Sequence, residues 1–240
     1  LTGGILNSKL HKNVKAVNMK TNSKCVVLLS GGQDSTTALF WAKKKFKTVM
    51  AVSFNYGQRH KIELKSAAKI AKLARVKHTI ITVKEYEAIQ NSALLDKTSS
   101  VNKHDKINKK LPASFVPGRN ILFLTAAAAY GYVNKAENIV IGVSQADYSG
   151  YPDCRGEFIR SMEKSLSLGM EYPVKIHTPL LNKNKIQTVL LAKKLGVLDM
   201  MKYTHTCYEG NELPCGKCPA CVLRAKGFKE AGITDPLLQK

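Results

Sequence analysis

Acidic side chains are scarce in this chain: 17 Asp and Glu stand against 38 Lys and Arg, for a formal net charge of +21 at pH 7. Such an excess turns attention to anionic partners, either an RNA surface or a nucleotide substrate drawn in by the positive field. Long apolar runs are also missing. The longest, Ile121 to Val133, is too short to span a bilayer and follows Arg119 and Asn120, so no membrane association is expected. The first residues carry no apolar segment with a cleavage site, so the chain is read as cytoplasmic. In that compartment six cysteines argue for metal or catalysis rather than disulfides. Two glycine signatures are absent as well. No Gly-Lys-Ser or Gly-Lys-Thr occurs, which excludes the loop that grips β- and γ-phosphates. No Gly-x-Gly-x-x-Gly occurs, which argues against a dinucleotide site. There is no internal repeat.

The lysines recur singly and in short runs, without an aromatic-rich platform for stacked bases. That distribution favours solvated faces over an RNA surface, and stable nucleic-acid binding is not expected. Residues 1–22 are polar and lack clear periodicity, with Met19 just ahead of the first apolar run. They read as a leader, disordered or not native, with Met19 as a candidate start. A main body over 23–200 and a cysteine-bearing segment over 201–240 follow, enough chain to bury a substantial core.

From Cys25 onward short β-rich runs alternate with helical stretches, the pattern of a parallel α/β sheet. Strands are expected at Cys25–Leu29, Thr48–Phe54, His78–Val83, Asn138–Val143 and Lys175–His177. Helices are expected at Ser35–Lys45, Ile62–Ala74, around Ala126–Ala129, at Glu157–Leu168 and at Ile186–Leu195. Asp96–Leu111 is rich in Lys, Asn and Ser, and reads as a mobile loop and candidate lid. Open parallel sheets bind ligands beyond the carboxyl ends of their strands. The loops after the first, second and fourth strands should therefore converge on one pocket.

The first of those loops carries the strongest signal. The apolar run Val26–Leu29 empties into Ser30-Gly31-Gly32-Gln33-Asp34-Ser35-Thr36 and then a helix. Two glycines let the backbone approach an anion, successive N–H groups point inward, and Ser30, Ser35 and Thr36 add hydroxyls. This stretch resembles the PP-loop of ATP pyrophosphatases, which hold pyrophosphate while a substrate attacks the α-phosphorus to form an adenylate. Near the end of the chain, Cys207, Cys215, Cys218 and Cys221 have the spacing C-x7-C-x2-C-x2-C. Two-residue gaps set neighbouring thiolates on one tight turn, with Gly216 supplying backbone freedom and Lys217 and Arg224 supplying positive charge. Four cysteines satisfy tetrahedral Zn²⁺ completely, so the site reads as structural zinc; an iron–sulfur cluster and free thiols are the competing readings. Cys25 reads as a buried strand residue, and Cys154 as a bystander in a loop near the pocket.

With Tyr56-Gly-Gln-Arg-His60, Val116-Pro-Gly-Arg-Asn120 and Ser149-Gly-Tyr-Pro-Asp-Cys-Arg155 added, the chain resembles the 7-cyano-7-deazaguanine synthases from about Cys25 to Phe228. That resemblance implies conversion of 7-carboxy-7-deazaguanine and ammonia to the 7-nitrile through two ATP-dependent adenylations, by a homodimer. It implies that Leu29, Ser30, Gly31, Gly32, Gln33, Asp34, Ser35, Thr36, Thr37, Ala38 and Leu39 embrace ATP, with Asp34 helping to hold Mg²⁺. Arg59 and Arg119 become candidates for the substrate carboxylate or phosphates, since a guanidinium fork matches those anions, and Lys185 a candidate for the phosphates. Tyr56, Gln58, Asp147, Tyr151, Asp153 and Arg155 become candidate contacts to the deazaguanine. Gln187 departs from the pattern, since an acid is expected two residues after Lys185. No glutaminase domain is present, so ammonia is free or delivered. Two rival readings stand beside this one: a tRNA-modifying PP-loop enzyme, which the charge favours, and a non-catalytic zinc-knuckle protein, which leaves the phosphate loop unexplained.

Overall fold

The computed structural model describes residues 21–58, 61–84, 108–146, 150–210 and 213–239. Its centre is a strand with no polar face. In β1 (Thr21–Leu28) and the residue after it, Cys25, Val27 and Leu29 pack towards α1 (Gln33–Lys45) and α2 (Ile62–Leu73). Val26 and Leu28 pack the other way, towards α3 (Arg119–Val133) and α4 (Gly156–Met170). Helices on both faces explain a continuous apolar run where a half-exposed strand would alternate. Cys25 is fully buried there, and burial pushes its thiol up to about 12.

All five strands are parallel, in the order β3–β2–β1–β4–β5, with β2 at Phe46–Asn55, β3 at Lys77–Thr82, β4 at Asn138–Val140 and β5 at Lys175–His177. The chain builds outward from β1 to β3, then returns to lay β4 on the other side of β1. The expected parallel α/β sheet is therefore present, and its switch point lies between β1 and β4, where such sheets open a crevice.

Several boundaries differ from the sequence pattern. β1 begins at Thr21, inside the stretch read as leader, and Thr21 pairs with Phe46 across an irregular register. β2 starts directly after α1, without the short loop expected there. β4 stops at Val140 rather than Val143, because its outer neighbour β5 is only three residues long. Ile141 still donates to His177 O at 3.0 Å, and then Gly142 crosses against α1, where a Cβ would lie 3.0 Å from the Asp34 carbonyl. The segment 141–144 thus leaves the sheet and becomes cavity wall. Residues 1–20 of the expected leader and 96–107 of the expected lid lie outside the described residues.

The C-terminal segment is docked by an apolar seam and a buried ion pair. Val189 and Ala192 of α5 (Lys185–Lys194) meet Val197, Met201 and, on α6 (Pro219–Glu230), Phe228. Beneath the seam Arg224, 1% exposed, uses all five of its donors. Nε and Nη2 reach both carboxylate oxygens of Asp235 at 2.6 and 2.8 Å, Nη1 reaches Thr204 and Thr206, and Nη2 also reaches the Met201 carbonyl. Such complete pairing is what a buried guanidinium requires. It also revises the thiolate-stabilising role read for Arg224, whose charge is matched by Asp235 instead. Asp235→Ala should lower the unfolding free energy by about 3–5 kcal/mol in denaturant titrations, because it strands the buried cation.

Candidate functional site

The phosphate loop is shaped by what crowds it. Gly31 has φ +84°, and a Cβ there would lie 2.4 Å from Glu63 O and 2.8 Å from Ala67 N, so only glycine fits between the loop and the first turn of α2. Its carbonyl accepts from the His205 N–H at 2.9 Å, which ties the loop to the C-terminal segment. Ser35 Oγ accepts from Ser30 N–H at 3.2 Å and lies 3.0 Å from Ser30 Oγ, closing the loop onto the helix start. Leu29, Ser30, Gly32, Gln33, Asp34 and Ser35 line a cavity of about 330 Å³. The rest of the sequence-derived ATP set does not line it. Gly31 is packed behind the loop, and Thr36 and Thr37 bond back to the Gly32 and Gln33 carbonyls. Ala38 and Leu39 face the core. With 3.6 residues per turn, a helix inevitably turns part of any such run away from the loop.

Across the mouth of α1, Lys185 Nζ donates to Asp34 Oδ2 at 2.5 Å. The other Asp34 oxygen, and both amide atoms of the neighbouring Gln33, are buried without a hydrogen-bond partner among the described residues. Unsatisfied polar atoms in a cavity wall are what a site looks like before its ligand supplies the partners. Lys185 is held by two devices. Asn184 caps α5 and forms a reciprocal capping box with Gln187, the residue that stands where an acid was expected. Gly227 of α6 has its missing Cβ 2.8 Å from the Lys185 Cβ, so the absent side chain lets the two helices close.

The opposite wall is aromatic. Phe54 and Phe123 stack at 4.1 Å with 7° between planes, and Tyr56 meets Phe123 edge-on at 5.2 Å. Arg119, at the start of α3, donates to the Tyr56 hydroxyl; Tyr56, Tyr151 and Asp153 together hold its guanidinium more basic than usual despite burial. Tyr56, Gln58, Arg119, Tyr151 and Lys185 all line this cavity. Gln58 also braces its own turn, accepting from Tyr56 N–H at 2.9 Å and donating to Phe54 O at 3.1 Å.

Two other sequence candidates stand outside the cavity wall. Asp153 accepts from the Asn120 N–H at 3.3 Å and thereby serves the N-terminal end of α3, with burial raising its carboxyl and Arg119 drawing it back. Arg155 is exposed at the start of α4. Arg59 and Asp147 lie outside the described residues. Cys154 does line the cavity, but burial pushes its thiol up to about 12, which suits a bystander rather than a nucleophile.

Several residues of the wall escaped sequence reading, among them Glu63, Phe123, His205, Thr206 and Tyr208. Only Glu63 left a trace, as an acid in the first turn of the helix that follows Tyr56–His60. Burial raises its carboxyl to about 7, even with Arg119 nearby to lower it.

The four cysteines meet as their spacing implies. The Sγ atoms of Cys207, Cys215, Cys218 and Cys221 all lie within 4.8 Å of one another. Zn–S bonds of about 2.3 Å would put tetrahedral sulfurs roughly 3.8 Å apart, and Cys215 and Cys221 are separated by 3.9 Å. Cys218 and Cys221 ride on the N-terminus of α6, and Gly216 at φ +71° turns the chain between them and Cys215. The Cys218 and Lys217 N–H groups point at Cys215 Sγ at 3.3 and 3.4 Å, outweighing burial and bringing its thiol down to about 7. A thiolate donor set of this kind fits a tetrahedral metal ion.

A parallel sheet with a glycine-rich loop at its switch point, and a four-cysteine cluster clamped beside it, defines an open-sheet α/β protein. The chain belongs to the family described as Queuosine biosynthesis protein QueC, whose pattern it matches over residues 24–232. It is 48% identical over 226 residues to the 7-cyano-7-deazaguanine synthase of Chromobacterium violaceum, covering 93% of this chain and 97% of that one. It is 50% identical over 215 residues to the 7-cyano-7-deazaguanine synthase of Laribacter hongkongensis, covering 90% and 94%.

The raised Glu63 carboxyl has a consequence for stability. The folded chain holds this proton more tightly than the unfolded one, so the contribution is full below about 4.5 and lost as pH rises through about 7. Glu63→Gln should therefore raise the thermal midpoint of the ligand-free protein at pH 8 by about 2–4 °C, the shift given by ~1 kcal/mol in a chain this size. At pH 4.5 the same comparison should show no gain.

Proposed function

We propose that the chain converts 7-carboxy-7-deazaguanine and ammonia to 7-cyano-7-deazaguanine with consumption of ATP, in queuosine biosynthesis. The observation that carries this reading is that the anion loop, the Lys185–Asp34 pair and the Arg119 guanidinium all open onto one cavity in a chain of this family. A carboxylate resists ammonia because its oxygen is a poor leaving group. Transfer of AMP to that oxygen makes it a good one, and ammonia then gives the amide. A second adenylation, on the amide oxygen, lets AMP leave with formation of the nitrile. Such chemistry needs no enzyme nucleophile; orientation and charge stabilisation suffice.

In this reading the Ser30–Ser35 loop holds the pyrophosphate of ATP and Lys185 offsets its charge. Asp34, with one oxygen unpartnered, would hold the Mg²⁺ that neutralises the leaving pyrophosphate. Arg119 takes the substrate carboxylate, and Phe54, Tyr56, Phe123 and Tyr151 supply the surface for the flat bicycle. The four cysteines hold one structural Zn²⁺ per chain. The same reading carries a cytoplasmic homodimer; among the described residues no helix is long and apolar enough to cross a membrane. In this reading the segment from residue 201 packs on the main body and takes part in the site, since His205, Thr206 and Tyr208 help to line the cavity.

Mass spectrometry of protein incubated with 7-carboxy-7-deazaguanine, ATP, Mg²⁺ and ammonium should show the nitrile and AMP together, with the amide as a transient. An unchanged base from folded, metal-loaded protein would discard the reading in favour of a tRNA-modifying enzyme. Metal analysis should find one zinc per chain, lost in Cys218→Ser. Hydrogen exchange at Gly31 and His205 should quicken in that variant, because the clamp between them hangs on the cysteine segment.

A further inference from the structure

We propose that Glu63 is the catalytic proton acceptor for the nitrogen as the carbon–nitrogen bonds of this reaction form; the assignment rests on the functional reading above. Among the described residues two carboxylates line the cavity, Asp34 and Glu63. Asp34 is tied to Lys185 at 2.5 Å and lies at the phosphate end. Glu63 lies where the two halves of the reacting molecule must join. Its backbone carbonyl abuts Gly31 of the phosphate loop, while its carboxyl belongs to the electrostatic group of Arg119, Tyr56 and Tyr208. The acyl-phosphate carbon of an adenylate has its phosphate on the loop and its base against the aromatic wall, so it sits between these two surfaces.

Among the described residues, the other ionisable side chains that line the cavity are committed elsewhere or keep their protons. Burial raises the Tyr56 and Tyr208 phenols above their ordinary value, and the Tyr151 hydroxyl shares a hydrogen bond with Ser114 Oγ at 2.6 Å. The Cys154 thiol is pushed up to about 12, and Arg119 and Lys185 are cations. His205 donates its Nε2–H to the Cys207 carbonyl at 2.9 Å, which commits one ring nitrogen to the cysteine segment. Glu63, raised by burial to about 7, is poised to take a proton near neutral pH and give it up again to water. The Arg119 cation nearby also disfavours bound ammonium and favours bound ammonia.

The steps balance. Ammonia attacks the carbonyl carbon of the acyl adenylate, and its nitrogen becomes cationic as the C–N bond forms. That nitrogen passes one proton to Glu63, the C–O bond to AMP breaks, and AMP leaves with the electron pair. Glu63 releases the proton to solvent. After the amide oxygen has displaced pyrophosphate from the second ATP, the same carboxylate removes N–H protons as AMP departs and C≡N forms.

Glu63→Gln keeps the shape and removes the basicity, so the two halves of the reaction separate it from a structural role. Acid-dependent exchange of labelled pyrophosphate into ATP, measured without ammonia, reports adenylation; amide formation at saturating ammonium reports the transfer. At pH 7 amide formation should fall at least about 100-fold further than exchange. The KM for the acid should change little, and Glu63→Asp should recover part of the rate. The pH profile of transfer, which in the wild type rises through about 7, should lose that limb in Glu63→Gln. Equal loss of exchange and transfer, or a raised KM for the acid with an intact pH profile, would overturn the assignment and make Glu63 a substrate-orienting side chain. Wild-type protein that exchanges no pyrophosphate would instead overturn the functional reading, and the assignment with it.

Discussion

Three parts of the molecule meet at Gly31. Its Cα lies against the Glu63 carbonyl in the first turn of α2, its own carbonyl accepts the His205 N–H, and its left-handed backbone starts the turn that aims the following amides at an anion. No side chain can enter that space, so the close approach is a packing constraint as much as a binding feature. Because the loop, α2 and the C-terminal segment share this contact, the cavity cannot form from the sheet alone.

The C-terminal segment contributes to the site by position. Gly227 allows α6 to close on α5 where Lys185 begins the helix, and the Asn184–Gln187 box fixes that helix start. Arg224 and Asp235 lock the same segment from below with a fully paired buried charge. Such a pair adds little net stability compared with an apolar substitute, yet breaking it is costly, so its role is to hold one arrangement rather than to strengthen it. The four-cysteine site reaches the loop through Cys207 and nearby His205, and Cys207 itself lines the cavity.

Charge is arranged in the same economical way around the cavity. Lys185 neutralises Asp34 at one end, while Arg119 at the other is embedded in hydroxyls and flanked by Glu63. The overall excess of lysine sets a positive background that suits anionic substrates, and the local pairs decide where a negative group can rest.

The phosphate loop, the cysteine quartet and the parallel sheet were legible in the chain itself, because each depends on local order. A buried strand followed by Ser-Gly-Gly announces an anion loop, two-residue gaps announce shared coordination, and alternating strands and helices announce the sheet. What the sequence could not separate was wall from support. Thr36, Thr37, Ala38 and Leu39 belong to the motif but turn inward, and Asp153 holds the start of α3 from outside the cavity. Conversely, Glu63 and Phe123 reach the cavity from helices that carry no signature, and His205 and Tyr208 from beside Cys207, brought there by helix rotation and by the docking of residues distant in the chain. Local spacing determines which groups are present and how each short motif can bend. Only the packing of α2, α3 and the cysteine segment against the loop decided which of those groups share a cavity, because burial, charge and proton affinity arise from neighbours that the linear order does not adjoin.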